Sequence, residues 1–209
     1  MADINKTIKS LEYNGYTVKR FDSAEAAAEW LDGEIDGKVV GFGDSKTIIK
    51  MELYRRLHSH NKCYDPNQSR GNEDVFHELG RRAMVCDVFL TSVNAMSETG
   101  EMVNIDGTGN RVAGSLFGHK VIYFIVGNNK IEPSLDAARE RARNYAGPMN
   151  ALKYDLSTPC VAHYKQTGEY KCYDCNCPER ICNAEVIYRK RMSYLDDAVV
   201  VLIDEELGF

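Results

Sequence analysis

Strand-length apolar runs, separated by segments of helical periodicity, are the feature that most narrows what this chain can fold into. Lys38–Phe42, Lys120–Val126 and Ala198–Ile203 are short and almost wholly apolar, as strands buried on both faces are. Further strands are expected at Tyr16–Phe21, 62–65, 87–91, Glu101–Asp106 and 184–190. Between them lie expected helices at 3–14, from Asp22 or Ser23 to Leu31, and at 46–58, 73–83, Arg111–Phe117 and Ser134–Tyr145. Ser134 suits an N-cap, and Glu25 adds favourable charge to the first turn of its helix. Strands joined through helices cannot close as hairpins. The expected fold is therefore α/β, an open and mostly parallel sheet with helices on both faces. A chain of 209 residues suits one domain, 1–209, with no internal repeat.

Charge removes one class of function. With a net charge of −5, the chain lacks the clustered lysine and arginine that phosphate backbones require, so nucleic acid is not an expected partner. The basic run Arg139–Arg143 is interrupted by Glu140 and Ala142 and reads as a solvated helix face. No apolar run exceeds strand length, and the N-terminal Met-Ala-Asp-Ile-Asn-Lys has no signal core, so neither a membrane nor export is expected. The expected location is cytoplasmic, where a reducing environment keeps thiols free.

Five of the seven cysteines then need a reason, because they fall between Cys160 and Cys182 in a polar stretch. Buried cysteines that act as small hydrophobes scatter through a core, the reading that suits Cys63 and Cys86. Thiolates that share a metal centre must cluster. Cys172-x₂-Cys175 forms a chelating pair, with Cys182 downstream and Cys160 upstream. Zinc would ask for a closed tetrahedron of two spaced pairs. An iron–sulfur cluster tolerates compact, irregular spacing, and Pro178 after Cys177 is in keeping with it. Both metals stay open, and 158–183 is a candidate metal-binding segment. His163 is the one histidine near enough in sequence to join it.

Two polar loops are candidates for ligand binding. Gly41-Phe-Gly-Asp-Ser45 follows a strand and precedes a helix, where glycines let the backbone approach an anion. It reads equally well as an ordinary turn with Ser45 as N-cap. Asn94-Ala-Met-Ser-Glu-Thr-Gly100 and Val103–Arg111 flank a short strand. Here Glu98 has the chemistry of a general base or acyl acceptor, and Arg111 that of a carboxylate clamp. A hairpin with turn-forming Gly and Asn residues would explain the same pattern. The candidate pocket joins Gly41, Gly43, Asp44, Ser45, Thr99, Gly100 and Asn110 with Glu98 and Arg111, all facing one switch point of the sheet.

These segments also carry a family resemblance. Gly43-Asp-Ser45, Asn94–Gly100, Val103–Arg111, Val126-Gly-Asn-Asn-Lys-Ile131, Thr158-Pro-Cys160, Cys172-Tyr-Asp-Cys175, Arg180-Ile-Cys182 and Leu207-Gly-Phe209 run in order from about residue 40 to the end. With them the chain resembles the lactate-utilisation (LUD) domain family, in a branch with a C-terminal cysteine motif. The resemblance implies a fold like the ribose-phosphate isomerase and CoA-transferase superfamily. It also implies a setting in the oxidation of lactate or related acids, beside iron–sulfur partners. Its cysteine motif falls on Cys160, Cys172, Cys175 and Cys182. Cys177 departs from the pattern, which has a small polar residue there, and leaves the fourth ligand open between Cys160 and Cys177. The segment His163–Tyr170 is longer than the usual link.

The leading expectation is a protein with one [4Fe–4S] cluster beside a pocket for a small organic acid or phosphorylated ligand, serving organic-acid oxidation or anaerobic redox metabolism. A redox partner protein and a symmetric homo-oligomer are in keeping with it. Two other readings compete. One is a metal-independent transferase or isomerase using Glu98, with zinc held by the cysteines. The other is a non-catalytic subunit that docks through its cysteine-rich face.

Overall fold

The computed structural model describes residues 2–209 and bears out the α/β expectation. Ten strands occur in chain order: β1 Thr17–Phe21, β2 Val39–Phe42, β3 Lys62–Tyr64, β4 Val88–Thr91, β5 Ala95–Ser97, β6 Met102–Asp106, β7 Val121–Gly127, β8 Ile131–Glu132, β9 Ala184–Tyr188 and β10 Asp197–Ile203. The α-helices are α1 Ile4–Tyr13, α2 Ala24–Glu34, α3 Lys46–Lys50, α4 Leu53–Leu57, α5 Glu73–Ala83, α6 Asn110–Leu116, α7 Leu135–Arg141, α8 Gly147–Lys153 and α9 Pro159–Thr167.

Six strands form a sheet in the order β1-β10-β7-β4-β2-β3, and every neighbouring pair is parallel. Two adjacent interior strands, β10 and β7, bury both faces. Tyr123 and Ile125 of β7, with Val199, Val201 and Ile203 of β10, join Ala27, Leu31, Leu53 and Leu57 on one side. Ile122, Phe124 and Val126, with Ala198, Val200 and Leu202, join Leu11, Tyr16 and Tyr188 on the other. This period of two within an apolar run is why these segments carry no polar alternation.

A second sheet, order β8-β5-β6-β9, was not expected. It is antiparallel except where β5 pairs with β8. Two other expectations change. The segment 46–58 is broken rather than continuous, because Glu52 adopts φ 51° between α3 and α4. The helix expected to end at Tyr145 instead continues through a π-helical turn, Ala142–Ala146, into α8. No helix among the described residues is long and apolar enough to cross a membrane.

Gly41 has a packing role. A Cβ there would stand 2.5 Å from the Ala83 carbonyl oxygen at the end of α5. Backbone cannot yield as a flexible side chain does, so Gly41→Ala should lower stability by about 1–3 kcal/mol. Urea melts of the two proteins check this; equal midpoints would show that α5 shifts freely.

Candidate functional site

The parallel strands end together, and a cavity of about 400 Å³ opens beyond their carboxyl ends. Asp44 and Ser45 reach it after β2, Ser92, Val93 and Asn94 after β4, and Lys130 after β7. Asp106 ends β6, and Asn110 and Arg111 begin α6. Asn150 and Lys153 come from α8, Tyr154 from its C-cap, and Cys182 and Asn183 from the segment before β9.

Lys130 forms the floor. It is 3% exposed, and its Nζ donates to Thr47 Oγ1 at 3.1 Å, Ser92 Oγ at 3.0 Å and the Val93 carbonyl at 3.0 Å. All three acceptors are neutral. Burial, with the nearby charges of Arg141 and Arg111, lowers the Lys130 ammonium to about 7. The chain end packs over it: Thr47 Oγ1 donates to the Leu207 carbonyl. Gly208 lies so close that a Cβ would be 3.3 Å from Nζ. Neither Lys130 nor the Leu207-Gly-Phe209 tail received a role from sequence, although both belong to segments that carry the family resemblance.

Arg111 borders the same space. Its Nη2 donates to the Ile105 carbonyl at 2.7 Å, and its Nε faces Asp106 at 3.3 Å. Asn110 offers a buried Nδ2 that has no hydrogen-bond partner. Ser45 precedes α3 without capping it through its side chain.

The expected pocket is therefore only partly assembled. Asp44, Ser45, Asn110 and Arg111 come together, while Gly41 and Gly43 do not line the cavity. Gly43 makes room, since a Cβ there would meet Thr91 Oγ1 at 2.9 Å and Arg111 Cγ at 3.1 Å. Glu98, Thr99 and Gly100 are elsewhere, in the hairpin turn between β5 and β6 against α1. Glu98 accepts the Asp3 N–H at 2.8 Å and pairs with Lys6 at 3.0 Å. These contacts hold its carboxyl below the usual value. Gly100 has φ +88°, and a Cβ there would crowd Asn14 Nδ2 and Ser10. The hairpin pattern explains this loop, and Glu98 does not share a pocket with Ser45.

The cysteine segment adjoins the cavity. Cys182 lines the cavity wall and also a small cleft with Cys172, Asp174, Arg180 and Arg143. Burial pushes its thiol up to about 11, reinforced by the neighbouring Cys172, Cys160 and Cys175 and opposed by Arg180. Cys177 instead faces Cys175, Sγ to Sγ 3.5 Å. All five thiols are half-buried, and none is in a disulfide. Asn144, on the π-helical turn, accepts the Cys172 N–H at 2.8 Å, while Arg180 spans from Asp174 to the Cys175 and Cys182 carbonyls. Among the described residues, no three His, Cys, Asp or Glu side chains are grouped as a ready-made metal site. His163 accompanies Tyr173 at 3.0 Å. Cys63 and Cys86 lie away from this cluster, where burial raises their thiols to about 12 and 11.

A structure solved for a DUF162 family protein from Deinococcus radiodurans has the same fold, with a TM-score of 0.54 and 12% identity over 96% of this chain and 95% of that one. No curated protein matches the chain. The LUD domain family profile matches residues 4–203, nearly the whole fold together with the cavity floor and all the cysteines, and the chain belongs to the LUD domain family.

Proposed function

We propose that the protein binds a small organic acid in the cavity, beside an iron–sulfur cluster held by its cysteines, and serves organic-acid oxidation. The observation that carries this reading is a cavity wall running from an ammonium without a carboxylate partner, Lys130, to a member of the thiol group, Cys182. A buried cation solvated only by neutral acceptors is poorly compensated, and a carboxylate in front of it would restore the balance.

Each residue has a distinct part. Lys130, whose three N–H groups are already donated, would attract the carboxylate by its charge, and the unengaged edge of the Arg111 guanidinium would donate to it. The Asn110 amide and the Ser45 hydroxyl would hold the substrate's hydroxyl. Asp106 fixes Arg111. Cys160, Cys172, Cys175 and Cys182 would hold a [4Fe–4S] cluster, whose thiolate donor set suits iron–sulfur or zinc alike. A bound cluster would supply electron transfer or Lewis acidity at the wall. Glu98 contributes nothing to this chemistry, since its carboxylate is committed to α1 outside the cavity.

The test is a titration of anaerobically prepared protein with L-lactate, following heat and visible absorbance together. Saturable heat with a change in the cluster spectrum is the expected result. Binding without any spectral change would separate the acid site from the cysteines and remove the oxidation reading.

A further inference from the structure

The cavity mouth holds two cations that a simple hydroxy acid on Lys130 would leave unused. Lys46 begins α3 and Lys153 ends α8, yet both side chains line the cavity, where Lys153 Nζ also donates to Tyr154 Oη at 2.9 Å. Burial, and then the adjacent Lys153, lower the pKa of Lys46; Asp44 and Tyr154 oppose them. Two ammonium groups brought together from distant parts of a chain repel, and an anion between them turns that repulsion into attraction.

Charge and size point the same way. The Arg111 and Asp106 charges are already matched to each other at 3.3 Å. That leaves Lys130, Lys46 and Lys153 facing Asp44 in one cavity, three basic side chains against one acidic side chain. An acid of lactate's size could neutralise one end only, and it would fill a small part of about 400 Å³. Cavities of such volume generally enclose larger ligands. The wall also offers the partnerless Asn110 Nδ2 as a donor.

Resting on the acid-binding reading above, we infer that the natural ligand is an acid with a second anionic group. One carboxylate meets Lys130 and Arg111 at the floor, and the other anionic group, a phosphate or a second carboxylate, bridges Lys46 and Lys153 at the mouth. Lys46 and Lys153 are then specificity residues, selecting ligand length and charge.

Calorimetric titrations with L-lactate, L-malate, 3-phospho-D-glycerate and inorganic phosphate test this. Malate or phosphoglycerate should bind at least tenfold tighter than lactate; the tighter of the two identifies carboxylate or phosphate at the mouth. The gain should disappear in Lys46→Met/Lys153→Met. It should shrink in Lys153→Met, a substitution at an exposed position that spares the fold. If lactate binds and neither two-anion acid binds more tightly, the inference falls and the acid-binding reading survives. If phosphate alone matches phosphoglycerate, or the gain persists in Lys153→Met, the bridging assignment is overturned. If none of the four binds, both readings fail together.

Discussion

Lys130→Met is expected to weaken carboxylate binding roughly 30-fold or more, the effect of removing about 2 kcal/mol or more from a desolvated charge contact. The same substitution should change how stability depends on pH. The Lys130 amine titrates near 7 in the folded protein, and a lysine in the unfolded chain near about 10.4. Below pH 7 both states hold the proton, and the full penalty of burying a charge is present. As pH rises from 7 toward 10, the unfolded chain binds more protons than the folded one, so stability increases. Between pH 6 and pH 9 the gain from this group is roughly 2–3 kcal/mol. Urea melts at the two values should show it in wild type and not in Lys130→Met. An acid bound in front of the amine should raise its pKa, so affinity should fall as pH climbs above 7. Unchanged lactate affinity in Lys130→Met would remove the floor cation from the site.

The cysteine substitutions should divide sharply. Cys172→Ser, Cys175→Ser, Cys182→Ser and Cys160→Ser are each expected to lose most bound iron and acid-labile sulfide after anaerobic preparation. Cys177→Ser should keep both. The reason is placement: Cys172, Cys160 and Cys175 are the thiols that act on Cys182, whereas Cys177 faces Cys175 alone. Full occupancy in Cys160→Ser with loss in Cys177→Ser would exchange the two. Stoichiometric zinc and no iron in wild type would replace the redox reading with a structural one. Intact helical content by circular dichroism in each variant separates loss of a ligand from loss of the fold.

The large parallel sheet was legible because its central strands are apolar on both faces, a signal that survives without knowledge of partners. The small sheet was not. β8 has two residues and β5 three, too few for a period to register, and their pairing is set by contacts distant in sequence. Helix α9 was missed despite a readable signature, Pro159 at its first turn and Gly168 after its last. The cavity was half legible. Asp44, Ser45, Asn110 and Arg111 lie where a strand meets a turn or helix, and that position predicts convergence. Glu98 lies in an equally polar and glycine-rich loop, but there the glycine serves φ +88° against α1. Lys130 was hidden for a simpler reason. A lysine in Gly-Asn-Asn-Lys looks solvated, and only the packing of the tail and the β4 end buries it.

The π-helical turn at Ala142–Ala146 acts as a phase shifter between two halves of one helix. Leu135, Ala138 and Ala142, before and entering the turn, share a face against Ala95 and Val103 of the small sheet. Beyond it, Gly147, Asn150, Lys153 and Tyr154 share a face on the cavity. An α-helix rotates by about 100° per residue, so one residue more or fewer swings everything downstream by that angle. Deleting a residue from this turn would leave the upstream half seated and carry Asn150 and Lys153 off the cavity wall. It would also withdraw Asn144 from the Cys172 N–H. A single irregular turn thus sets the azimuth of the cavity's lysine rim and the anchorage of the cysteine loop at once.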